Sequence, residues 1–156
     1  PDLYLANDYG RNCLFVNEAG PDGTVHFRNI APTAGAEDSA SGMSATWGDY
    51  DRDGHMDLYI SNMFSAAGSR VTARSQFKPS LSPDLRRKFQ HFARGNTLLR
   101  NLGNSGNPTF LDTSVAAGVT IGRWAWSSLF ADLNNDGWED LVVANGYLTG
   151  TSGGDL

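Results

Sequence analysis

Asp49-Tyr50-Asp51-Arg52-Asp53-Gly54-His55-Met56-Asp57-Leu58-Tyr59-Ile60-Ser61-Asn62 returns 83 residues later as Asp132-Leu133-Asn134-Asn135-Asp136-Gly137-Trp138-Glu139-Asp140-Leu141-Val142-Val143-Ala144-Asn145. At the same offset Phe27 aligns with Phe110, Asn29 with Asp112, Gly35 with Gly118 and Trp47 with Phe130. Shifted by one more residue, Asn12-Cys13-Leu14-Phe15-Val16-Asn17 matches Asn96-Thr97-Leu98-Leu99-Arg100-Asn101. The slip falls where Gly20, Pro21, Asp22 and Gly23 read as a turn. A headless third copy opens the chain, since Asp2-Leu3-Tyr4-Leu5-Ala6-Asn7 matches residues 57–62 at a spacing of 55. Matches in one conserved order at fixed spacing identify an internal repeat.

The spacing of 83 exceeds the spacing of 55 by 28 residues, and charge marks the same excess. Residues 64–94 hold Arg70, Arg74, Lys78, Arg86, Arg87, Lys88 and Arg94 against Asp84 alone, a balance of +6. The other residues carry five bases and sixteen acids, −11, and the whole 156-residue chain sums to −5. An acidic body argues against nucleic acid as partner, because phosphate binding needs a continuous basic surface. Within the insertion Ser82-Pro83-Asp84 supplies an N-cap, a proline at the first helical position and an acid in the first turn. Leu85, Phe89 and Phe92 follow at helical spacing, predicting an amphipathic helix over about 83–93 that packs on the neighbouring sheets.

Outside the insertion each period holds about four short apolar runs bounded by Gly, Asn or Asp; in the last period these are 97–100, the run around Phe110, 125–131 and 141–144. Such runs separated by turn chemistry read as strands. Four strands per repeat predict an all-β fold, a fragment of a β-propeller of about two and a half four-stranded blades with a short helical insertion. The corresponding division is 1–62 (a partial blade and the first complete repeat), 63–95 (the basic insertion) and 96–156 (the second complete repeat and a tail).

The Asp-rich loops carry the candidate chemistry. Asp49, Asp51, Asp53 and Asp57 stand at loop positions 1, 3, 5 and 9, with Gly54 at position 6. Alternate residues of a tight turn point to one centre, where four carboxylates about 5 Å apart would repel by roughly 3 kcal/mol per pair at an effective dielectric near 20. A hard divalent ion relieves that repulsion, and calcium accepts irregular oxygen coordination more readily than magnesium. The second loop offers Asp132, Asn134, Asp136 and Asp140. Backbone carbonyls of His55 and Trp138 would complete the two sets at position 7. With one carboxylate fewer, the second loop is expected to bind calcium more weakly. An EF-hand is excluded, because position 12, which needs a bidentate Glu, is Ile60 in one loop and Val143 in the other.

The pattern Asn-x-Leu-x-x-Asn, then Phe, then Ala-Gly-Val, then Asp-x-Asp/Asn-x-Asp-Gly-x-x-Asp-Leu resembles the FG-GAP/VCBS repeat. That resemblance implies blades of a calcium-binding propeller such as the integrin α-subunit head. Gly122-Arg123-Trp124-Ala125-Trp126-Ser127, the Asn134-Asn135-Asp136-Gly137-Trp138-Glu139-Asp140 loop and Ala144-Asn145-Gly146-Tyr147 resemble bacterial proteins related to cartilage acidic protein, in which such repeats stand beside an ASPIC/UnbV domain. The family implies about seven blades in a secreted, periplasmic or cell-envelope protein. This chain carries about two and a half and no ASPIC/UnbV segment. Its opening at Pro1, inside a strand-like run, fits a piece of a longer protein.

Other candidates are weaker. Trp47, with Trp124 or Trp126, is expected to fill space between blades; a sugar platform including Trp138 is the alternative. His26, His55 and His91 lack zinc or triad spacing, and His91 is expected on the solvated basic face of the helix. Cys13, the one cysteine, reads as a small strand residue. No run of about 18 apolar residues predicts a membrane-spanning helix, and no basic-then-apolar leader is legible. The expected function is therefore a non-catalytic calcium-binding repeat module for adhesion or for protein or glycan interaction. Its basic insertion would dock on its own blades, stay solvated, or meet a protein or anionic glycan. The alternative is part of a calcium-dependent polysaccharide-active enzyme, lyase-like, on a propeller scaffold.

Overall fold

The computed structural model describes residues 1–103 and 107–146; the tail 147–156, including Tyr147, lies outside the described residues. Among the described residues nine strands form three antiparallel sheets. The first holds β1 (Leu3–Leu5), β2 (Cys13–Asn17) and β3 (Phe27–Asn29), in that order. The second is a four-stranded meander of β4 (Gly42–Gly48), β5 (Asp57–Asn62), β6 (Thr97–Asn101) and β7 (Phe110–Asp112). The third pairs β8 (Ala125–Ala131) with β9 (Asp140–Asn145). Among the described residues three helices intervene: α1 (Ala31–Ala34), α2 (Ala66–Thr72) and α3 (Pro83–Arg94). A mostly β architecture of small twisted meanders is compatible with a β-propeller fragment, and the sheets do not close into a ring.

The sequence period and the sheet are offset. The four runs of the last period fall in two sheets, β6 and β7 completing the second while β8 and β9 begin the third. Residues on either side of the insertion thus join one sheet, with Leu58 opposite Leu99 and Tyr59 opposite Leu98.

Stacking of the sheets explains the apolar patterns. β5 is buried along its whole length because sheets cover both its faces, so it reads as an unbroken Leu58-Tyr59-Ile60 run. Leu58 and Ile60 join Tyr4, Leu14, Ile30, Leu99 and Phe110 in the core between the first two sheets. Trp47 packs there against the rings of Tyr4 and Phe110, at 6.4 and 6.3 Å between centroids, as expected. Tyr59 faces the third sheet and meets Phe130 edge-on at 6.3 Å. Trp126, by contrast, is 47% exposed.

The repeat recurs bond by bond. Tyr4 donates its hydroxyl to the carbonyl of Ala36 at 2.9 Å, and Tyr59 to that of Val119 at 3.0 Å. The Asn7 backbone N–H donates to Asn12 Oδ1 at 2.8 Å, and the Asn62 N–H to Asn96 Oδ1 at 2.8 Å. The same asparagine clip thus closes a connection of a few residues in one sheet and the whole 63–95 insertion in the next.

Within the insertion α3 starts where Ser82 accepts the Leu85 N–H at 3.3 Å, close to the expected position. Sequence reading did not resolve α2, whose cap is Ser65 accepting from Gly68 at 3.0 Å. Its Gly68, Val71 and Thr72 are poor helix formers, and packing against α3 sustains it. The helix attaches to the sheets differently from the expectation. Leu85, Phe89 and Phe92 remain 47, 39 and 44% exposed, and Phe89 pairs with Phe77 inside the insertion at 5.5 Å. Polar residues anchor it instead: His91 lies 2.5 Å from the buried carboxylate of Asp38, and Arg94 bonds Asp112 at 2.9 Å. His91 is therefore a tether, not a solvated residue.

Candidate metal centre

The loop joining β4 to β5 is wound by its own first aspartate. Asp49 Oδ1 accepts the Asp53 N–H and Asp49 Oδ2 the Gly54 N–H, both at 3.0 Å, while Asp53 Oδ1 accepts from His55 at 2.9 Å. Such Asx bonding needs left-handed backbone, which Arg52 (φ 59°) and Gly54 (φ 85°) supply. The loop joining β8 to β9 repeats this. Asp132 accepts from Asp136 at 3.1 Å and Gly137 at 2.9 Å, Asp136 accepts from Trp138 at 2.8 Å, and Asn135 and Gly137 have φ of 58° and 86°. One loop geometry has been built twice.

In the first loop Asp49, Asp51 and Asp57 bring one carboxylate oxygen each within 4.8 Å of one another. Asp57 is fully buried, and its Oδ1 accepts the Asn101 N–H at 2.7 Å. Its Oδ2, and Oδ1 of Asp51, are buried with no hydrogen-bond partner. Burial first, then the neighbouring Asp51 and Asp53 charges, push the Asp57 carboxyl up to about 6. Buried carboxylate oxygens without donors are costly. A cation among them is the natural resolution, and an all-oxygen set suits a hard divalent ion. The acidic group can therefore hold a metal ion.

Asp53 stands outside this group. Its Oδ2 and the Oδ2 of Asp51 face Arg100 on β6, at 3.3 and 2.5 Å. The ring of His55 is packed against Gly103, away from the three carboxylates. In the second loop the counterparts of Asp49, Asp51 and Asp57 are Asp132, Asn134 and Asp140, two carboxylates and an amide. Asn134 Nδ2 donates to Asp136 at 2.8 Å, and Asp140 Oδ2 accepts the Leu133 N–H at 3.0 Å.

Three residues that sequence reading missed belong to this region. Arg100 and Asn101 come from β6, beyond the insertion. Glu139, on the second loop, accepts the Asp49 N–H at 3.0 Å, and Trp138 beside it lies under Arg52, 5.2 Å from the guanidinium carbon to the ring centroid. Gly48 permits this approach, since a Cβ there would meet Glu139 Oε2 at 2.6 Å. Spacing within one repeat carries no sign of contacts between repeats, although the basic Arg100 where the first repeat has Val16 is a signal visible in hindsight.

The FG-GAP-like repeat family matches residues 1–60 and 92–143. The chain belongs to that family. Between the two matched stretches lie residues 61–91, which hold α2 and most of α3. No curated protein and no solved structure matches the chain. FG-GAP-like repeats form interaction modules that are in general non-catalytic and typically extracellular. Among the described residues no helix is long and apolar enough to cross a membrane.

Proposed function

We propose that this chain is a calcium-binding propeller module, non-catalytic, whose sheets are stiffened by the ion for adhesion or for protein or glycan interaction in a secreted or envelope protein. The carrying observation is the fully buried Asp57, which stands in one group with Asp49 and Asp51: the Asn101 and Tyr50 backbone N–H groups draw on its carboxylate, and its Oδ2 completes no hydrogen bond. Calcium there would be held by Asp49, Asp51 and Asp57, with Asp53 and the His55 carbonyl completing the set. A second, weaker site would use Asp132, Asn134, Asp136, Asp140 and the Trp138 carbonyl. Bound calcium supplies charge neutralisation and a rigid oxygen-coordinated hub.

The protein's own residues convert that hub into stiffness. Asp57 ties the loop to β6 through Asn101, and Asp49 ties it to the third sheet through Glu139. Fixing Asp57 holds the loop to β6 of its own sheet, and fixing Asp49 holds it to the loop of the third sheet. Calcium is abundant outside cells, which supports the extracellular or envelope setting. The likeness of 122–127 and 134–140 to cartilage-acidic-protein relatives supports the same setting. In this reading the chain divides at 1–62, 63–95 and 96–156, further blades complete the ring, and the basic insertion presents the surface for a protein or anionic glycan.

The test is thermal melting with millimolar calcium and with chelator. Calcium should raise Tm by several degrees, equivalent to about 3 kcal/mol at a hundredfold excess over Kd. Asp57→Asn should abolish most of the rise. An unchanged Tm in the parent overturns the proposal.

A further inference from the structure

We propose that Arg100 is the resident counter-cation of the first aspartate loop: it offsets the carboxylate charge of the ion-free loop and lowers its calcium affinity. The proposal rests on the calcium reading above and concerns how tightly that loop binds. The guanidinium takes Oδ2 of Asp51 and Oδ2 of Asp53, whereas the partnerless oxygens are Asp51 Oδ1 and Asp57 Oδ2. Arg100 thus uses one oxygen of Asp51 and leaves the other for an ion. It sits beside the cation position as a fixed positive charge.

The strand itself has no need of an arginine there. At the matching place of β2 stands Val16, although the neighbouring bond is kept: Asn17 N–H donates to Asp2 Oδ1 at 3.0 Å as Asn101 N–H does to Asp57 Oδ1 at 2.7 Å. Arg100 faces the carboxylates of Asp51 and Asp53. Nor does the loop need Arg100 for its shape, because the backbone bonds to Asp49 and Asp53 hold the turn and recur in the second loop, where Asp132 and Asp136 make them. Removing the arginine therefore acts mainly on charge. A unit charge about 6 Å from a divalent ion changes its affinity by about tenfold even at the dielectric constant of water. The first loop, with its larger number of carboxylates, is thereby held well below the affinity its acid count would give.

The experiment uses the whole chain carrying Asp132→Ala and Asp136→Ala, so that only the first loop reports. Calcium is titrated calorimetrically, and terbium by luminescence, at low ionic strength for this background and for Arg100→Gln and Arg100→Lys within it. Arg100→Gln should tighten calcium binding about tenfold and lower Tm in chelator, so that the calcium-induced rise in Tm grows. Arg100→Lys, which keeps the charge, should stay near the background. A folded Arg100→Gln chain that binds calcium no more tightly overturns the role of Arg100 and leaves the calcium site standing. If neither the background nor Arg100→Gln takes up calcium or terbium, the calcium reading itself falls and this proposal with it.

Discussion

Asp57 lies fully buried between acids, and its carboxyl is held up to about 6 by burial and then by Asp51 and Asp53. A carboxyl raised in the folded state contributes stability that is complete below its unfolded value near 4 and is lost as pH rises through 6. In chelator, Asp57 should therefore cost the parent chain stability between about pH 4 and pH 6.5, and Asp57→Asn should remove that component. The measurement is the difference between parent and variant in melting temperature across this range; parallel curves would refute it. Asp38 acts with the opposite sign. Burial raises its carboxyl, but bonds and charge from His91, with Asn62 and Thr97, outweigh it and hold it below the usual range. Its contribution is present above the ordinary carboxylate value and is lost as pH falls through the lowered one. His91→Leu leaves Asp38, 1% exposed, with the Asn62 amide at 2.9 Å as its main remaining donor. That change should cost about 2–4 kcal/mol in urea unfolding near neutral pH. A loss under about 0.5 kcal/mol, the scale of ordinary surface changes, would show that the tether contributes nothing.

Among the elements, the junction between β5 and β6 asks most of single residues. Asn96 is fully buried and its Oδ1 accepts the Asn62 N–H, closing the mouth of a long insertion. Asn96→Ala should cost about 1–3 kcal/mol by stranding that buried donor, and protease sites within 63–95 should become more accessible; equal stability and equal proteolysis would refute it. Asn12 and Asn96 were legible in the sequence as a repeated pair, and the structure adds what they do. The strands, the paired loops and α3 were legible for a related reason: each is written in local spacing, in alternating apolar runs, Asx positions or a capped helical period. The structure departed from that reading where contacts are long-range. Arg100 reaches Asp51 across 49 positions and Glu139 reaches Asp49 across 90, distances at which periodicity is silent. The exposed face of α3 misled for the same reason, since an amphipathic pattern states that a face is apolar without stating what covers it.

At the scale of the molecule, the two ends of β5 are chemically opposite. Asp57 opens it in the acidic loop, while Asn62 leads into an insertion with a balance of +6, so the first acidic loop and the basic insertion adjoin opposite ends of the strand. The outer sheets show a different asymmetry. β5 is covered on both faces, but Leu3 and Leu5 on the first sheet are 52 and 46% exposed, and Trp126 and Leu129 on the third are 47 and 48% exposed. The unclosed sheets also leave strand edges to which another chain can pair. Neighbouring sheets of a closed ring would cover both faces, as the first and third sheets cover the second. On its own, the 16.8 kDa chain should self-associate at micromolar concentration through these surfaces, because unpaired edges and exposed apolar faces reinforce one another. Light scattering after size exclusion should give a mass above the monomer that falls toward it when Leu3→Lys and Leu129→Lys are introduced together. Calcium should not reverse the association, since an ion held in the loops would cover neither face. A strictly monomeric parent at those concentrations would show that water tolerates the exposed faces and would overturn this prediction.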